Sequence, residues 1–365
     1  MKRLLMTADA VGGVWQYALD LTRELRTLDW EVTLVAMGPE PDADQRRAAD
    51  AIPNLELRVS NLPLDWLEAG PAPVARAAEH VARIAQQASC DLVQLNMPTL
   101  AANGAFTEPV VAVTHGCVST WWSGARNDPL APQYHWHRRM MQQGLSRADA
   151  VVAPSASYAA MVADHYQLRQ APSVVRNGRD PACRPAPAAQ QDYVLTAGRL
   201  WDRAKNIDTL DRVGGRLAVP FHAAGALTGP NGERPRIENL HLLGHLPADA
   251  LARWRAPRPI FVSAARFEPF GLAVLEAAQA GCALILSDIP TFRELWDGAA
   301  IFVEPEDTET FQYMIETLIG DPPVRHALGE AAAARAGQYR PLSTARAMGA
   351  LFDRLLDDRA RRAAA

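Results

Sequence analysis

The first forty residues alternate between short apolar runs and a stretch with helical spacing, and this rhythm limits the possible folds more than any other feature. Residues 2–6 and 31–36 have the composition of buried strands. Between them, apolar residues at positions 15, 18, 21, 25 and 28 recur at the spacing of one helix face. A strand, a helix and a second strand in this order form a unit with parallel strands. The start of the chain therefore predicts an α/β domain built on a parallel sheet.

The same rhythm continues and then restarts after a Pro- and Ala-rich stretch that has no periodicity. Further strands are predicted at 91–95, 110–114, 150–153, 193–196, 221–224, 240–242, 260–262, 283–286 and 300–303. We therefore predict two doubly wound, Rossmann-like α/β domains, 1–178 and 193–340, joined by a linker at 179–192. The final helix, 341–360, has no strand of its own to complete, so we expect it to pack back on the first domain.

Length and composition exclude several classes of protein. The 365 residues are enough for two cores, and 48% hydrophobic with 21% charged residues is typical of a soluble globular protein. The net charge of −4 leaves no basic excess for nucleic acid. No apolar run approaches the ~20 residues that a membrane helix needs, and the start lacks the pattern of a signal peptide. We expect a cytoplasmic protein whose scattered cysteines are free thiols: Cys90, Cys117, Cys183 and Cys282.

Two cations follow a predicted strand in "VLTAGRLWDRAKN", namely Arg199 and Lys205. Ligands of open α/β sheets bind at the carboxyl ends of the strands, and two such sheets facing each other would form a cleft. A planar guanidinium and a compact ammonium group suit a diphosphate. The alternatives are that both cations are solvated loop residues, or that Arg203 takes one of the roles.

Two glutamates stand eight positions apart in "ARFEPFGLAVLEAAQAG". A helix is expected to begin near Phe270–Leu272, where Gly271 allows close backbone approach and the free N–H groups favour phosphate. Glu268 is placed to hold a sugar hydroxyl, and Glu276, about one and a half turns into the helix, to hold a ribose. One alternative is a helix carboxylate satisfied within the protein. Another is a paired-carboxylate hydrolase, but two acids on one loop and helix are poorly placed to flank a glycosidic bond.

In the first domain, Gly12 and Gly13 stand where a strand turns into a helix, and His115 directly follows the strand "VVAVT". The glycine pair is not a G-x-G-x-x-G fingerprint, which argues against a dinucleotide cofactor. The histidine has a structural and a catalytic interpretation of about equal weight. The acidic pair at 42–44 lies in a polar stretch and is interpreted as a solvated loop, so no metal site is predicted.

Residues 119–140 are rich in aromatic and basic side chains. Aromatic rings bind the apolar faces of sugars, and they also pack cores. We favour packing for this segment. The alternative is contact with a lipid-linked acceptor or a membrane surface through its tryptophans and Arg138 or Arg139.

Together these motifs resemble the retaining glycosyltransferases of family 4, which have the GT-B fold of two Rossmann-like domains facing across a cleft. The resemblance spans nearly the whole chain. It rests on the two glutamates of the E-x7-E pattern and on the segments "GRLWDRAKN", "VVAPSASYAAMV", "VVRNGRD" and "LGHLPADAL". It implies transfer of a hexose-type sugar, with retention, from a UDP-sugar or GDP-sugar to an acceptor hydroxyl, without metal or other cofactor.

The resemblance also implies roles for single residues of the second domain. Arg199 and Lys205 would contact the diphosphate, Glu276 the ribose and Glu268 the transferred sugar. The backbone amides of 270–272 would line the sugar and the phosphate. The backbone around His245 and Leu246 would meet the base.

In the first domain, the resemblance implies that Gly12 and Gly13 approach the diphosphate or the acceptor, and that His115 lies near the reacting carbon. The implied catalytic set is therefore Glu268, His115, Arg199 and Lys205. The chain departs from the family pattern at Arg179, which follows Asn-Gly where an aliphatic residue is usual, and at Gly116, where many relatives have Asp.

The acceptor and the reaction leave alternatives open. A cell-surface polysaccharide, a lipid-linked glycan and a small metabolite are all possible acceptors, with glycoconjugate synthesis the expected role. A nucleotide-sugar 2-epimerase of the same architecture and a non-catalytic nucleotide-sugar binding protein are the alternatives to a transferase.

Overall fold

The structure, a computed structural model, describes residues 1–180 and 189–364. The chain forms two compact units. The first unit joins Met1–Gly178 with Arg340–Ala365, and the second is Arg179–Tyr339. Most of the predicted linker, together with Cys183, falls on residues 181–188, which lie outside the described residues.

The first unit is built on a parallel sheet of seven strands. The strands are β1 (Lys2–Asp9), β2 (Trp30–Met37), β3 (Leu55–Val59), β4 (Leu92–Leu95), β5 (Val110–Val113), β6 (Ala150–Ala153) and β7 (Ser173–Val174). Their order in the sheet is β3-β2-β1-β4-β5-β6-β7. The middle of β1 is buried on both faces, as expected for a parallel strand covered by helices on both sides.

Helices of the first unit connect these strands. They are α1 (Gly13–Leu25), α2 (Ala43–Asp50), α3 (Pro71–Gln87), α4 (Val118–Ala125), α5 (His135–Arg147) and α6 (Ala156–Tyr166). The apolar positions predicted for the first helix, Trp15, Ala18, Leu21 and Leu25, are buried on the sheet. A short 3₁₀ helix, Arg26–Leu28, extends that helix to the predicted end.

The acidic pair at 42–44 begins a helix, so its interpretation as a loop is wrong. The Asp42 carboxylate accepts a hydrogen bond from the Gln45 backbone N–H at 2.8 Å, and the Gln45 side chain accepts one from the Asp42 N–H at 2.9 Å. This reciprocal pair is a capping box, which satisfies two free donors at the start of α2. Asp44 forms an ion pair with Arg47 one turn along the same helix. Both carboxylates are thus engaged by their own helix.

The second unit has a parallel sheet of six strands. They are β8 (Val194–Ala197), β9 (Phe221–Ala224), β10 (His241–Gly244), β11 (Ile260–Ser263), β12 (Ala283–Ser287) and β13 (Ile301–Val303), in the order β10-β9-β8-β11-β12-β13. The helices of this unit are α7 (Ile207–Gly214), α8 (Ala248–Arg255), α9 (Leu272–Gln279), α10 (Pro290–Trp296), α11 (Thr308–Gly320) and α12 (Pro322–Ala336). The strand order changes direction at β8 and β11, where ligands of such sheets bind.

The last helix, α13 (Pro341–Ala364), belongs to the first unit. It packs against α1 and contributes Met348 and Phe352, both fully buried, to the core of that unit. The Phe352 ring meets the Trp30 ring edge to face, with centroids 5.3 Å apart. The apolar face of this helix therefore completes the layer that covers one side of the first sheet.

Replacing Phe352 by leucine is expected to lower the free energy of unfolding by about 1–2 kcal/mol, because the aromatic pair is lost and the core is underfilled. Urea denaturation of the full chain, followed by tryptophan fluorescence, measures this change. Tyr313→Leu is the matched control, since the Tyr313 side chain is 64% exposed. An unchanged midpoint for Phe352→Leu would contradict the packing of α13.

The strand rhythm predicts this architecture correctly: two α/β units with parallel sheets. The strands expected at 150–153 and 221–224 have the predicted ends, and the others shift by one to three residues. Two strands, β3 and β7, were not predicted, and both lie at edges of the first sheet. Within residues 1–180 and 189–364, no helix combines the length and the apolar character needed to cross a membrane.

Candidate active site

The candidate site of the second unit lies where β8 and β11 end. Arg199 follows β8 by two residues, and its side chain is 43% exposed. Its guanidinium donates to Asp202 at 2.7 Å and lies 5.5 Å from the centroid of the Trp201 ring. These contacts hold a cation at the strand end while most of its donor capacity stays available.

Lys205 is the last residue of a 3₁₀ helix, Arg203–Lys205, that Asp202 caps by accepting from the Ala204 N–H at 2.9 Å. The Ala204 carbonyl accepts from the Arg266 backbone N–H at 2.8 Å, which joins this turn to the loop after β11. That junction brings Lys205 to Glu268, and the two form an ion pair with side chains 22% and 16% exposed. Two residues that the sequence analysis assigned to different roles therefore stand side by side.

Gly271 precedes the first residue of α9 and has a φ of +94°, in the left-handed region that favours glycine. A Cβ atom there would lie 3.2 Å from the Phe292 ring and 3.3 Å from Cγ of Glu268. The Phe270 side chain is buried and packs edge to face on Tyr339, at 5.7 Å between centroids. The start of α9 is thus fixed by the core on one side and lies directly against Glu268 on the other. Leu272 begins the helix, as predicted.

Gly271→Ala is expected to lower the free energy of unfolding by about 1–2 kcal/mol, the cost of a left-handed residue with a side chain. It should also lower turnover, because the added methyl group displaces Glu268. Gly320→Ala is the matched control: its Cβ atom would meet nothing within 4 Å. Urea denaturation and an activity assay measure both effects, and wild-type values for Gly271→Ala would contradict this geometry.

Glu276 is engaged by two arginines of the second unit. Its carboxylate forms ion pairs with Arg179 and with Arg255, the last residue of α8. All three side chains are largely buried, at 14% exposure or less. Burial would raise the pKa of Glu276, but the two guanidinium groups outweigh burial and hold the pKa below its ordinary value. The carboxylate is therefore ionised, and two cations hold its position.

These two arginines were not predicted as site residues. Arg179 was noted only because it departs from the family pattern after Asn-Gly. Arg255 lies in the arginine-rich run "ARWRAPRP". One signal was available: a glutamate inside an apolar helix requires buried positive partners. Nothing local to either arginine identifies it as that partner, because the pairs span 97 and 21 positions of sequence.

Leu246, the position expected to meet the base, follows β10 at the edge of the second sheet. In the first unit, Gly12 and Gly13 form the turn from β1 into α1. The Gly12 backbone is extended, with φ −151° and ψ −154°, so this turn does not require glycine for its conformation. All three positions follow the carboxyl ends of their strands, and Gly12 and Gly13 stand at the turn from strand to helix that the sequence predicted.

His115 follows β5 and belongs to a polar cluster at the carboxyl ends of β1, β4 and β5. Its Nε2 atom lies 3.0 Å from Oδ1 of Asn96, and its ring meets the Tyr17 ring edge to face at 4.5 Å between centroids. Burial lowers the pKa of His115 to about 4. The imidazole is therefore neutral near pH 7.

The aromatic segment at 119–140 packs mainly within the first unit. Trp122 and Trp136 are buried. The Trp122 ring lies 5.6 Å from Tyr134, and the Arg126 guanidinium lies over the same ring at 4.1 Å from its centroid. Arg138 and Arg139 are exposed on α5. The two buried tryptophans support the packing interpretation of this segment.

Two family models match most of the chain. Residues 11–182 match the model described as Glycosyltransferase Family 4, and residues 233–335 match Glycosyl transferases group 1. The chain belongs to glycosyltransferase family 4. Glu268 and Glu276 fall within the second matched range, whereas Arg199 and Lys205 lie between the two ranges. No curated protein sequence matches this glycosyltransferase.

Solved structures with a similar fold cover nearly all of this glycosyltransferase. Sucrose-phosphate synthase from Thermosynechococcus elongatus superposes with a TM-score of 0.78 at 17% identity, covering 98% of this chain and 100% of its own. HepE from Anabaena, in complex with UDP-glucose, has a TM-score of 0.72 at 18% identity, covering 97% and 100%. WaaG, a glycosyltransferase involved in lipopolysaccharide biosynthesis, has a TM-score of 0.73 at 14% identity, covering 96% and 99%. The predicted family and the GT-B fold class are thus confirmed.

Proposed function

We propose that this glycosyltransferase moves a hexose-type sugar from a nucleoside diphosphate sugar to an acceptor hydroxyl, with retention of configuration and without a metal. The observation that carries the proposal is the ion pair of Lys205 and Glu268 against the start of α9. A cation for phosphate, an acid for hydroxyl groups and free helix N–H groups stand together there. These are the three kinds of group that a sugar diphosphate requires.

In the free protein, Lys205 and Glu268 neutralise each other. A bound diphosphate supplies oxygen acceptors for Lys205 and Arg199, which leaves the Glu268 carboxylate to accept hydrogen bonds from sugar hydroxyls. The N–H groups at Gly271 and Leu272, next to Glu268, add partial positive charge that also favours the diphosphate. Glu276, ionised and fixed by two arginines, is a strong acceptor for the ribose hydroxyls.

The reaction breaks the bond between the anomeric carbon and the diphosphate oxygen. Negative charge grows on that oxygen, and Lys205, Arg199 and the helix N–H groups stabilise it through preorganised electrostatics. The acceptor hydroxyl oxygen forms the new bond on the same face of the sugar, and its proton passes to the departing diphosphate. No protein nucleophile is needed for retention by this route.

Two solved structures support particular choices of substrate. HepE was crystallised with UDP-glucose, so we propose a uridine diphosphate sugar as the donor to test first. WaaG acts in lipopolysaccharide biosynthesis, which supports a cell-surface glycan as the acceptor. We place the protein in the cytoplasm, where nucleotide sugars are made, with contact to the inner membrane face if the acceptor is lipid-linked.

A thermal-shift series tests the donor. UDP, GDP and ADP, each alone and as the glucose derivative, are added to the wild-type protein and to Lys205→Ala. Ligand that binds only the folded state stabilises it by about 2.7 kcal/mol at 100 times Kd, so one base should raise the melting temperature of wild type and raise it less for the variant. A melting temperature unchanged by every nucleotide would refute the proposal.

The product distinguishes a transferase from an isomerase. Incubation of the stabilising donor without acceptor is expected to give no change or slow hydrolysis. Formation of the 2-epimer of the donor would contradict sugar transfer. Once an acceptor is found, the anomeric proton coupling in the NMR spectrum of the product tests retention, and an inverted anomer would refute the mechanism.

A further inference from the structure

A chain of hydrogen bonds in the first unit determines which nitrogen of His115 carries the proton. It begins at the backbone carbonyl oxygen of Thr7, which can only accept. The Asn96 side-chain nitrogen lies 2.7 Å from that oxygen, and the Asn96 backbone N–H donates to the Thr7 hydroxyl at 3.1 Å. Because the amide nitrogen must face the Thr7 carbonyl, the Asn96 amide oxygen points away from it.

That amide oxygen accepts two hydrogen bonds. Nε2 of Gln94 lies 3.1 Å away, and Nε2 of His115 lies 3.0 Å away. Since an amide oxygen has no proton to donate, Nε2 of His115 must be the protonated nitrogen. Turning the Asn96 amide over would set its oxygen against the Thr7 carbonyl, two acceptors at hydrogen-bond distance. The buried backbone of β1 therefore selects the tautomer of a side chain that follows β5.

The surroundings of the ring keep it neutral. The Tyr17 phenol lies against the ring, and Cys117 is two positions along the chain. Burial raises the pKa of both groups, so neither is charged near neutral pH. Burial is the cause that lowers the pKa of His115. A neutral imidazole with a proton on Nε2 has an unprotonated Nδ1. Nδ1 has no hydrogen-bond partner in the parts of the chain that the structure describes.

We propose that Asn96 is a positioning residue that holds His115 in the Nε2–H tautomer, so that Nδ1 accepts a hydrogen bond from a hydroxyl group of the sugar substrate. An unprotonated nitrogen accepts from a hydroxyl and repels phosphate oxygens, so His115 favours a sugar hydroxyl over a phosphate group at this position. The contact with substrate rests on the proposed function. The tautomer does not, because it follows from the protein's own hydrogen bonds.

The tautomer is tested in the wild-type protein without substrate. Nitrogen NMR of protein labelled with ¹⁵N-histidine, with the His115 signals assigned by their loss in His115→Asn, separates protonated from unprotonated ring nitrogens. We expect a pyrrole-type signal for Nε2 and a pyridine-type signal for Nδ1 near pH 7. An Nδ1–H tautomer, or an imidazolium at that pH, would overturn the proposal whatever reaction the enzyme catalyses.

The positioning role is tested with Asn96→Asp. A carboxylate beside Nε2 favours the imidazolium and raises the pKa of His115 by about 1–3 units. Protonation then occupies Nδ1, which can no longer accept a hydrogen bond. As pH decreases, the fall in kcat/KM should therefore occur about 1–3 pH units higher in the variant than in wild type. Asn103→Asp is the control, since it adds the same charge at an exposed turn of the same unit.

The two readouts separate the possible failures. A pH profile of Asn96→Asp that coincides with that of Asn103→Asp, together with the expected wild-type tautomer, would show that the substrate does not use Nδ1 and would overturn the positioning role. Failure of every nucleotide to bind would instead refute the proposed function and leave the NMR result standing.

Discussion

Lys205→Ala is expected to lower kcat by about 10²–10³-fold, the usual cost of removing one preorganised group that stabilises charge in the transition state. The ammonium group is held at the end of β8 by its ion pair with Glu268. No other lysine of the chain can replace it, because the chain has 35 arginines and two lysines, of which the second is Lys2. Steady-state kinetics with a saturating donor measure the effect.

Lys2→Ala is the matched control for this prediction. Lys2 forms a surface ion pair with Asp353 in the first unit, and such pairs contribute about 0–1 kcal/mol. Lys205→Arg is the sharper test, since it keeps the charge and changes a compact ammonium group for a planar fork. We expect activity between those of wild type and Lys205→Ala. Wild-type turnover in Lys205→Ala would remove the proposed role.

Glu276→Gln is expected to lower the free energy of unfolding by about 3–5 kcal/mol, the cost of removing one partner from a buried ion pair. The amide removes the negative charge that pairs with Arg179 and Arg255, both 6% exposed. Urea denaturation of the full chain at pH 7 measures the loss. Glu330→Gln on α12 is the control, because Glu330 is exposed.

The pH dependence of the stability lost in Glu276→Gln gives an independent check of the ion pairs. The pKa of Glu276 is lowered in the folded protein, so the ionised carboxylate contributes stability above the unfolded value of about 4.3. That contribution disappears as pH falls through the lowered pKa. The stability difference between wild type and Glu276→Gln should therefore be constant above about pH 5 and shrink in acid. A difference that grows in acid would contradict the ion-pair geometry.

The sequence predicts the sheets well because most strands are continuous runs of buried apolar residues. The two missed strands lack this signal. Residues 55–59 read "LELRV", whose charged residues face solvent at the edge of the first sheet, and β7 has only two residues. An edge strand needs one neighbour and little burial, so its composition resembles that of a loop.

The site is less predictable than the fold, because its pairs join distant parts of the chain. Strand ends indicate Arg199, Lys205 and Glu268 one by one, yet the ion pair of Lys205 depends on how the loop after β11 bonds to a 3₁₀ turn. In the sequence, a buried arginine such as Arg255 looks the same as a solvent-exposed arginine on a helix surface. The polar cluster around His115 gave a clearer signal in the sequence, because Gln94 is a polar residue inside the buried strand "LVQL".

The return of α13 to the first unit affects the order in which the protein is assembled. During synthesis, all residues of the second unit emerge before Phe352 reaches Trp30, so the second unit can close its core while the first still exposes the apolar surface of α1. On the ribosome, the domain that is made first would be the last to be finished. That exposed surface is where a nascent chain of this kind most needs protection from aggregation.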